Sequence, residues 1–185
     1  SNNVSTVSKL LGTDYGYFGG GLPGLSSVNR IDYSSDTSTA VAKGPLSSSK
    51  YLLGATGNAS YGYWAGGLAP GCLSLIDRSD YSNDTVTAAV KGPLTLKRGQ
   101  VQGTATADYG WFGGGYNPSG AVSTVDRVEF SNDTATAVLR GYLSVARYMG
   151  GATGNASYGY FAGGNGPHTT VDRVDYSNDT PTTPT

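Results

Sequence analysis

The chain has 185 residues, only 14% of them charged, and twelve Lys and Arg against thirteen Asp and Glu leave a net charge of −1. That balance supplies no basic face to track phosphates, so nucleic acid is not expected as a partner. No apolar run approaches the roughly 20 residues that span a bilayer, and the single cysteine, Cys72, allows neither an internal disulfide nor a Cys/His metal spacing.

Cys72 reads as core or turn packing. No signal-peptide pattern opens the sequence, so the expectation is a mature or excised segment, or one that travels without a cleaved signal. High Gly, Ser and Thr with low charge would suit disorder. Fourteen Tyr, four Phe and two Trp, recurring in register, argue for a packed chain instead.

In chain order, the first clear element is YGYFGGG at 15–21, a Tyr-Gly-aromatic strand ended by glycines. A Gly/Ser loop follows, then SSVNRIDYSSDT at 26–37. Its Val-Asn-Arg-Ile-Asp-Tyr part alternates with period two, as a half-buried strand does, and Ser-Asp-Thr is turn chemistry. A short Thr/Ala/Val run comes next, and KGPL at 43–46 marks a link. SKYLLGATGNAS at 49–60 gives one more strand and a turn, and leads into YGYWAGG at 61–67.

From there the order repeats. LSLIDRSDYSNDT (73–85), VTAAV (86–90) and KGPL (91–94) precede YGWFGGG (109–115). VSTVDRVEFSNDT (122–134), ATAVL (135–139), RGYL (140–143) and VARYMGGATGNAS (145–157) precede YGYFAGG (158–164) and TTVDRVDYSNDT (169–180). The period is 46 to 49 residues, a spacing typical of propellers and arrays. Each unit reads as four short strands with no helical pattern. The chain is expected to be one repeat domain, 1–185, with units near 1–47, 48–94, 95–143 and 144–185. The fold class expected is all-β and β-propeller-like: four blades of four short antiparallel strands. Each sheet would bury its faces on its neighbours.

These units resemble the kelch repeat. The residues that carry the likeness are the double glycines Gly19-Gly20, Gly66-Gly67, Gly113-Gly114 and Gly163-Gly164; the strands ending at Tyr33, Tyr81, Phe130 and Tyr176; and the leading basic residues Lys9, Lys50, Arg98 and Arg147. The resemblance implies a non-enzymatic binding scaffold acting through blade loops. Two features depart from it: the fourth strand lacks the family's tryptophan, and four blades are fewer than usual. The near-identical copies are also similar to Gly/Tyr-rich kelch-like arrays of phage virion and bacterial surface proteins.

Chemistry-bearing residues are sparse. His168 is the only histidine and has no partner motif, so catalysis is not expected of it. Kelch-type copper oxidases bind metal through several histidines, which this chain lacks. No P-loop, nucleophile elbow or HExxH is present. Asp32, Asp36, Asp80, Asp84, Asp133, Asp175 and Asp179, with Glu129, recur as acid-x-Ser-x-Asp. Oxygens at alternate positions could bind Ca²⁺ weakly, but the pattern reads first as an Asx-type turn. Arg30, Arg78, Arg127 and Arg173 each stand two residues before an acid, an arrangement expected to give a salt-linked rung within or between blades. The sharper alternative is a ring of arginines reading an anion. Tyr17, Tyr63, Trp111 and Tyr160 would stack on sugars if exposed and pack as core if not. Asn-x-Ser/Thr acceptor patterns begin at Asn3, Asn58, Asn83, Asn132, Asn155 and Asn178 and read first as turns.

The function expected is a structural or adhesive module of a virion, extracellular filament or cell surface. No cofactor is expected. The partners expected are proteins of a larger assembly or surface glycans, and a homo-oligomer is compatible with the pattern. The loops LPGLS (22–26), LAPGCLS (68–74), YNPSGAVS (116–123) and NGPHTT (165–170) break otherwise matched copies and are the expected contact points. A carbohydrate-binding propeller is the alternative.

Overall fold

A computed structural model describes residues 5–6, 14–35 and 37–182. Strands β1 (Ser5–Thr6), β2 (Tyr15–Gly19), β3 (Val28–Asp32) and β4 (Val41–Lys43) form the first sheet, and β5 (Gly54–Gly57), β6 (Tyr61–Ala65), β7 (Ile76–Asp80) and β8 (Ala89–Lys91) the second. The third consists of β9 (Gln102–Ala105), β10 (Tyr109–Gly113), β13 (Thr124–Glu129) and β14 (Val138–Tyr142), with a ribbon of β11 (Tyr116–Asn117) and β12 (Gly120–Ala121) inserted. The fourth is β15 (Gly151–Gly154), β16 (Tyr158–Ala162), β17 (Val171–Asp175) and β18 (Thr180–Thr182). Each sheet is an antiparallel meander, so its strands lie in sequence order. The expected all-β, propeller-like architecture of four four-stranded blades is what the chain adopts.

The registers align the copies. Tyr17, Tyr63, Trp111 and Tyr160 stand opposite Arg30, Arg78, Arg127 and Arg173 respectively. After the third strand, 3₁₀ turns at Tyr33–Ser35, Tyr81–Asn83 and Phe130–Asn132 reverse the chain. The described residues contain no helix long and apolar enough to cross a membrane.

The apolar core lies between blades rather than within them. One cluster joins Tyr17, Val28 and Leu46 of blade 1 to Leu53, Ala55, Trp64 and Ala88 of blade 2. A second joins Tyr63, Ala65, Ile76 and Leu94 to Val101, Ala105, Phe112, Val128, Phe130 and Ala137. A third joins Trp111, Val125 and Leu143 to Phe161 and Val174. Each large side chain leaves water only because the next sheet covers it, and full burial stabilises by about 1.5–3 kcal/mol apiece. First strands stand side by side: β5 packs on β1 and β9, and β9 on β15.

Glycine permits the close approach. Gly66 has φ +66°, and a Cβ there would lie 2.3 Å from the Arg98 carbonyl of the next blade. Gly20 and Gly114 repeat this against Lys50 and Arg147. The pairs that make the exit turn are Gly20-Gly21 and Gly114-Gly115, one residue later than the repeat pattern assigns in blades 1 and 3. Gly19 and Gly113 instead end their strands against Trp64 and Phe161 of the following blades.

Candidate functional site: the interblade joints and the cleft between blades 1 and 2

Each joint centres on one aspartate. Asp84 accepts from the Tyr17 hydroxyl (2.9 Å) and the Arg30 guanidinium (2.8 Å), with Lys43 Nζ at 3.1 Å. Asp133 accepts from Tyr63 (2.9 Å) and Arg78 (2.8 Å), with Lys91 Nζ at 3.0 Å. Asp179 takes the Trp111 indole N–H, Arg127 and Arg140. In every case the donors come from one blade and the aspartate from the next. The rings repeat the pattern: Tyr17 stacks on Tyr81 at 4.6 Å, Tyr63 on Phe130 at 4.4 Å and Trp111 on Tyr176 at 4.1 Å.

The electrostatics follow from burial and pairing. Burial pushes the Tyr17 hydroxyl up to about 12, and its bond to Asp84 adds to the rise. Burial also raises the Asp84 carboxyl, but Lys43, Tyr17 and Arg30 outweigh that and hold it below the usual carboxylate range. Tyr63 is raised in the same way as Tyr17, by burial and then by Asp133.

A second, fully buried ion pair sits inside each of blades 2 to 4: Lys50–Asp77 (3.0 Å), Arg98–Asp126 (3.0 Å) and Arg147–Asp172 (2.8 Å). Arg98 also donates to the Gly114 and Phe112 carbonyls. Burial lowers the pKa of Lys50 and of Arg98, against the pull of their aspartates. Ser47, Thr95 and Ser144 cap the same carboxylates. In these three blades the leading basic residue is therefore an internal strut. Lys9, its counterpart in blade 1, lies outside the described residues.

The structure redistributes the residues singled out from sequence. Tyr17, Tyr63 and Trp111 are 3%, 0% and 1% exposed, so no ligand can stack on them. Only Tyr160 of that set is partly exposed. Arg30, Arg78 and Arg127 do not pair with the acid two residues on; they cross the joint to the Asp of the turn in the next blade. They form no free ring for an anion, because each is neutralised there. Arg173 lies over the Tyr158 ring at 4.6 Å.

The acid-x-Ser-x-Asp oxygens do not converge. Asp32, Asp80 and Asp175 each accept from the backbone N–H and hydroxyl of the serine two residues on. Those bonds hold all three carboxyls below their ordinary range. Asp84, Asp133 and Asp179 point the other way, into the joints. Among the described residues no three acids, histidines or cysteines group to hold a metal; Asp36 lies outside them. Asn58 and Asn155 accept from the N–H groups that follow them, as Asx turns do. Asn3 is outside the described residues. Cys72 is a free thiol in a loop turn, 3.5 Å from the Tyr116 carbonyl. His168 sits half-buried in its loop, its backbone N–H bonded to the Gly166 carbonyl.

One opening has ligand-binding chemistry. A cleft of about 430 Å³ between blades 1 and 2 is lined by Asp14, Tyr15, Ser60, Tyr61, Asp80 and Ser82, with Tyr17 and Tyr81 beside them. Guanidiniums cover its tyrosines: Arg30 lies 4.0 Å from the Tyr15 ring and Arg78 4.2 Å from Tyr61. At the matching edge of blade 2, Asn58 Nδ2 donates to the Ala107 carbonyl of blade 3.

The sequence reading missed the shared aspartate, the roles of Lys43, Lys91 and Arg140, and the buried Asp77, Asp126 and Asp172. A signal was present: the turn aspartate recurs in all four units, the basic residue seven positions on in units 1 to 3, and the strand aspartate in units 2 to 4, with Asn29 in its place in unit 1, although alignment alone does not say which copy pairs with which.

No family model matches the chain, and no curated protein matches it. Among solved structures, that of YjhT, a β-propeller, is similar over 98% of this chain with a TM-score of 0.78 at 10% sequence identity. The chain spans 64% of the length of that protein. The likeness establishes the propeller fold.

Proposed function

We propose that the chain is a non-enzymatic, kelch-like binding scaffold, working as a structural or adhesive module at the surface of a virion, extracellular filament or cell. One observation carries this reading: the aromatic, Arg, Lys and Asp side chains that recur in blades 1 to 3, with the turn aspartates of blades 2 to 4, are committed to the three interblade joints. What varies among the copies is the loop after each second strand. Each of those loops joins the two inner strands of its sheet, and Leu22, Leu25 and Tyr116 in them are exposed. A rigid frame with divergent loops is how repeat proteins present a contact surface. Immunogold electron microscopy with antibodies against loops 22–26 and 116–123 tests it. Label on the outside of a particle, filament or cell is expected; label confined to the cell interior overturns it.

The cleft between blades 1 and 2 favours a second reading, saccharide recognition. Tyr15 and Tyr61 carry a guanidinium on one face and offer the opposite face to sugar C–H groups, and Asp80, Ser60 and Ser82 offer hydrogen bonds to hydroxyls. A glycan array probed with wild type and Tyr61→Ala tests it. Binding lost in a folded variant supports the reading, and an array without any hit removes it.

A further inference from the structure

His168 is the only histidine of the chain, and the scaffold reading gives it no work. Its imidazole lies against Gly166: Nε2 is 3.3 Å from the point where a Cβ on that glycine would stand. Gly166 has φ +121°, a setting that glycine adopts at little cost and residues with a side chain avoid. A tight turn brings the two residues together, the His168 N–H donating to the Gly166 carbonyl at 2.9 Å. Among the described residues no acceptor takes the N–H of Gly166.

The residue before Gly166 is Asn165, which is exposed and tied twice to Tyr148. Its backbone N–H donates to the Tyr148 carbonyl (2.9 Å), and its Nδ2 donates to the Tyr148 hydroxyl. An asparagine in this setting is open to attack on itself. The backbone nitrogen of the next residue can close a succinimide ring on the side-chain carbonyl carbon, and a following glycine puts no Cβ in the way. Asn165-Gly166 is the sole Asn-Gly pair in the chain. Asn58 and Asn155 stand in a duplicated decapeptide, GATGNASYGY, at 54–63 and 151–160. Alanine follows each of them, and each side-chain oxygen accepts two N–H groups of its own turn. Asn117 precedes Pro118, which has no N–H to lose.

We propose that Asn165-Gly166 is a self-modification site of the folded chain, with His168 as its base. The imidazole takes the proton of the Gly166 N–H. The freed nitrogen bonds to Asn165 Cγ, and the Cγ–Nδ2 bond breaks. The proton passes through solvent from the imidazolium to the departing nitrogen, which leaves as ammonia. Water then opens the succinimide and yields aspartate or isoaspartate at position 165. No reactant besides water enters. The product adds a negative charge to the loop 165–170, and the isoaspartyl form also lengthens the main chain by a carbon atom. The event happens once per chain and needs no turnover. It goes beyond the scaffold reading and occurs whatever the loops bind.

Incubation of the full chain in neutral buffer, followed by trypsin digestion and mass spectrometry, tests this. Peptide 148–173 holds both Asn155 and Asn165. Position 165 is expected to convert from amide to acid while Asn155 keeps its amide. The folded chain should convert faster than the same chain in urea, because only the fold sets the imidazole against Gly166. His168→Ala, shown to be folded by circular dichroism, should slow conversion by about tenfold or more, through loss of a positioned base. An amide that survives at 165, equal conversion at Asn155, a rate no higher in the folded chain than in urea, or a folded His168→Ala variant that converts at the wild-type rate would each overturn the proposal.

Discussion

The hydroxyl of Tyr63 donates to the carboxylate of Asp133, 2.9 Å away and 70 residues on, across the joint between the second and third blades. Arg78 and Lys91 hold the same carboxylate. Asp133 thus ties together three strands of the preceding blade.

Removing that carboxylate strands two cations and a hydroxyl in a half-buried joint. Asp133→Ala is expected to destabilise by about 3–5 kcal/mol, as breaking a buried ion network does. Tyr63→Phe, which keeps the stack on Phe130, is expected to cost about 1.5–3 kcal/mol. Urea denaturation followed by Trp fluorescence measures both. Equal and negligible shifts would mean that the joint is ornamental.

Gly66→Ala and Gly163→Ala separate backbone strain from interblade contact. Both residues have nearly the same positive φ, which costs a non-glycine residue about 1–2 kcal/mol. Only at Gly66 would the added methyl carbon meet a carbonyl of the next blade, at 2.3 Å. Gly66→Ala should therefore be clearly the more destabilising of the two in chemical denaturation.

Much of the architecture was legible because it was written four times. Glycine phrases, period-two strands and Asx turns revealed blade number and strand order, since each rests on local chemistry. The pairing of Arg30 was not legible. A strand puts Asp32 on the same face as Arg30, but Asp32 is committed to Ser34, and Asp84 lies beyond the reach of any local rule. The burial of Tyr17, Tyr63 and Trp111 was equally a property of the neighbouring sheet. The cleft between blades 1 and 2 is lined from both sheets, so no single unit's sequence announces it.

Trp111→Ala should act on stability before it acts on any ligand. The indole is buried, stacks on Tyr176 and donates to Asp179. A loss of about 3–5 kcal/mol is expected, read as a lowered melting temperature. A folded variant of unchanged stability would contradict the burial.

Stability should fall in acid. The Asp84 carboxyl is held below its ordinary value, near 3.9 when unfolded. A depressed carboxyl stabilises the fold above its unfolded value and loses that contribution as pH drops through its folded value. Asp32, Asp80 and Asp175 are depressed too, by their serine bonds. Urea midpoints should therefore be steady down to about pH 4 and decline below it, with a shallower decline in Asp84→Asn.

The central claim is that each sheet is sheltered by the next, and the duplicated decapeptide tests it most directly. Hydroxyl-radical footprinting at a concentration where the chain is monomeric compares Tyr63 with Tyr160, two rings with the same nine residues before them. Tyr63 should be protected and Tyr160 modified. Equal modification of the two would contradict the account.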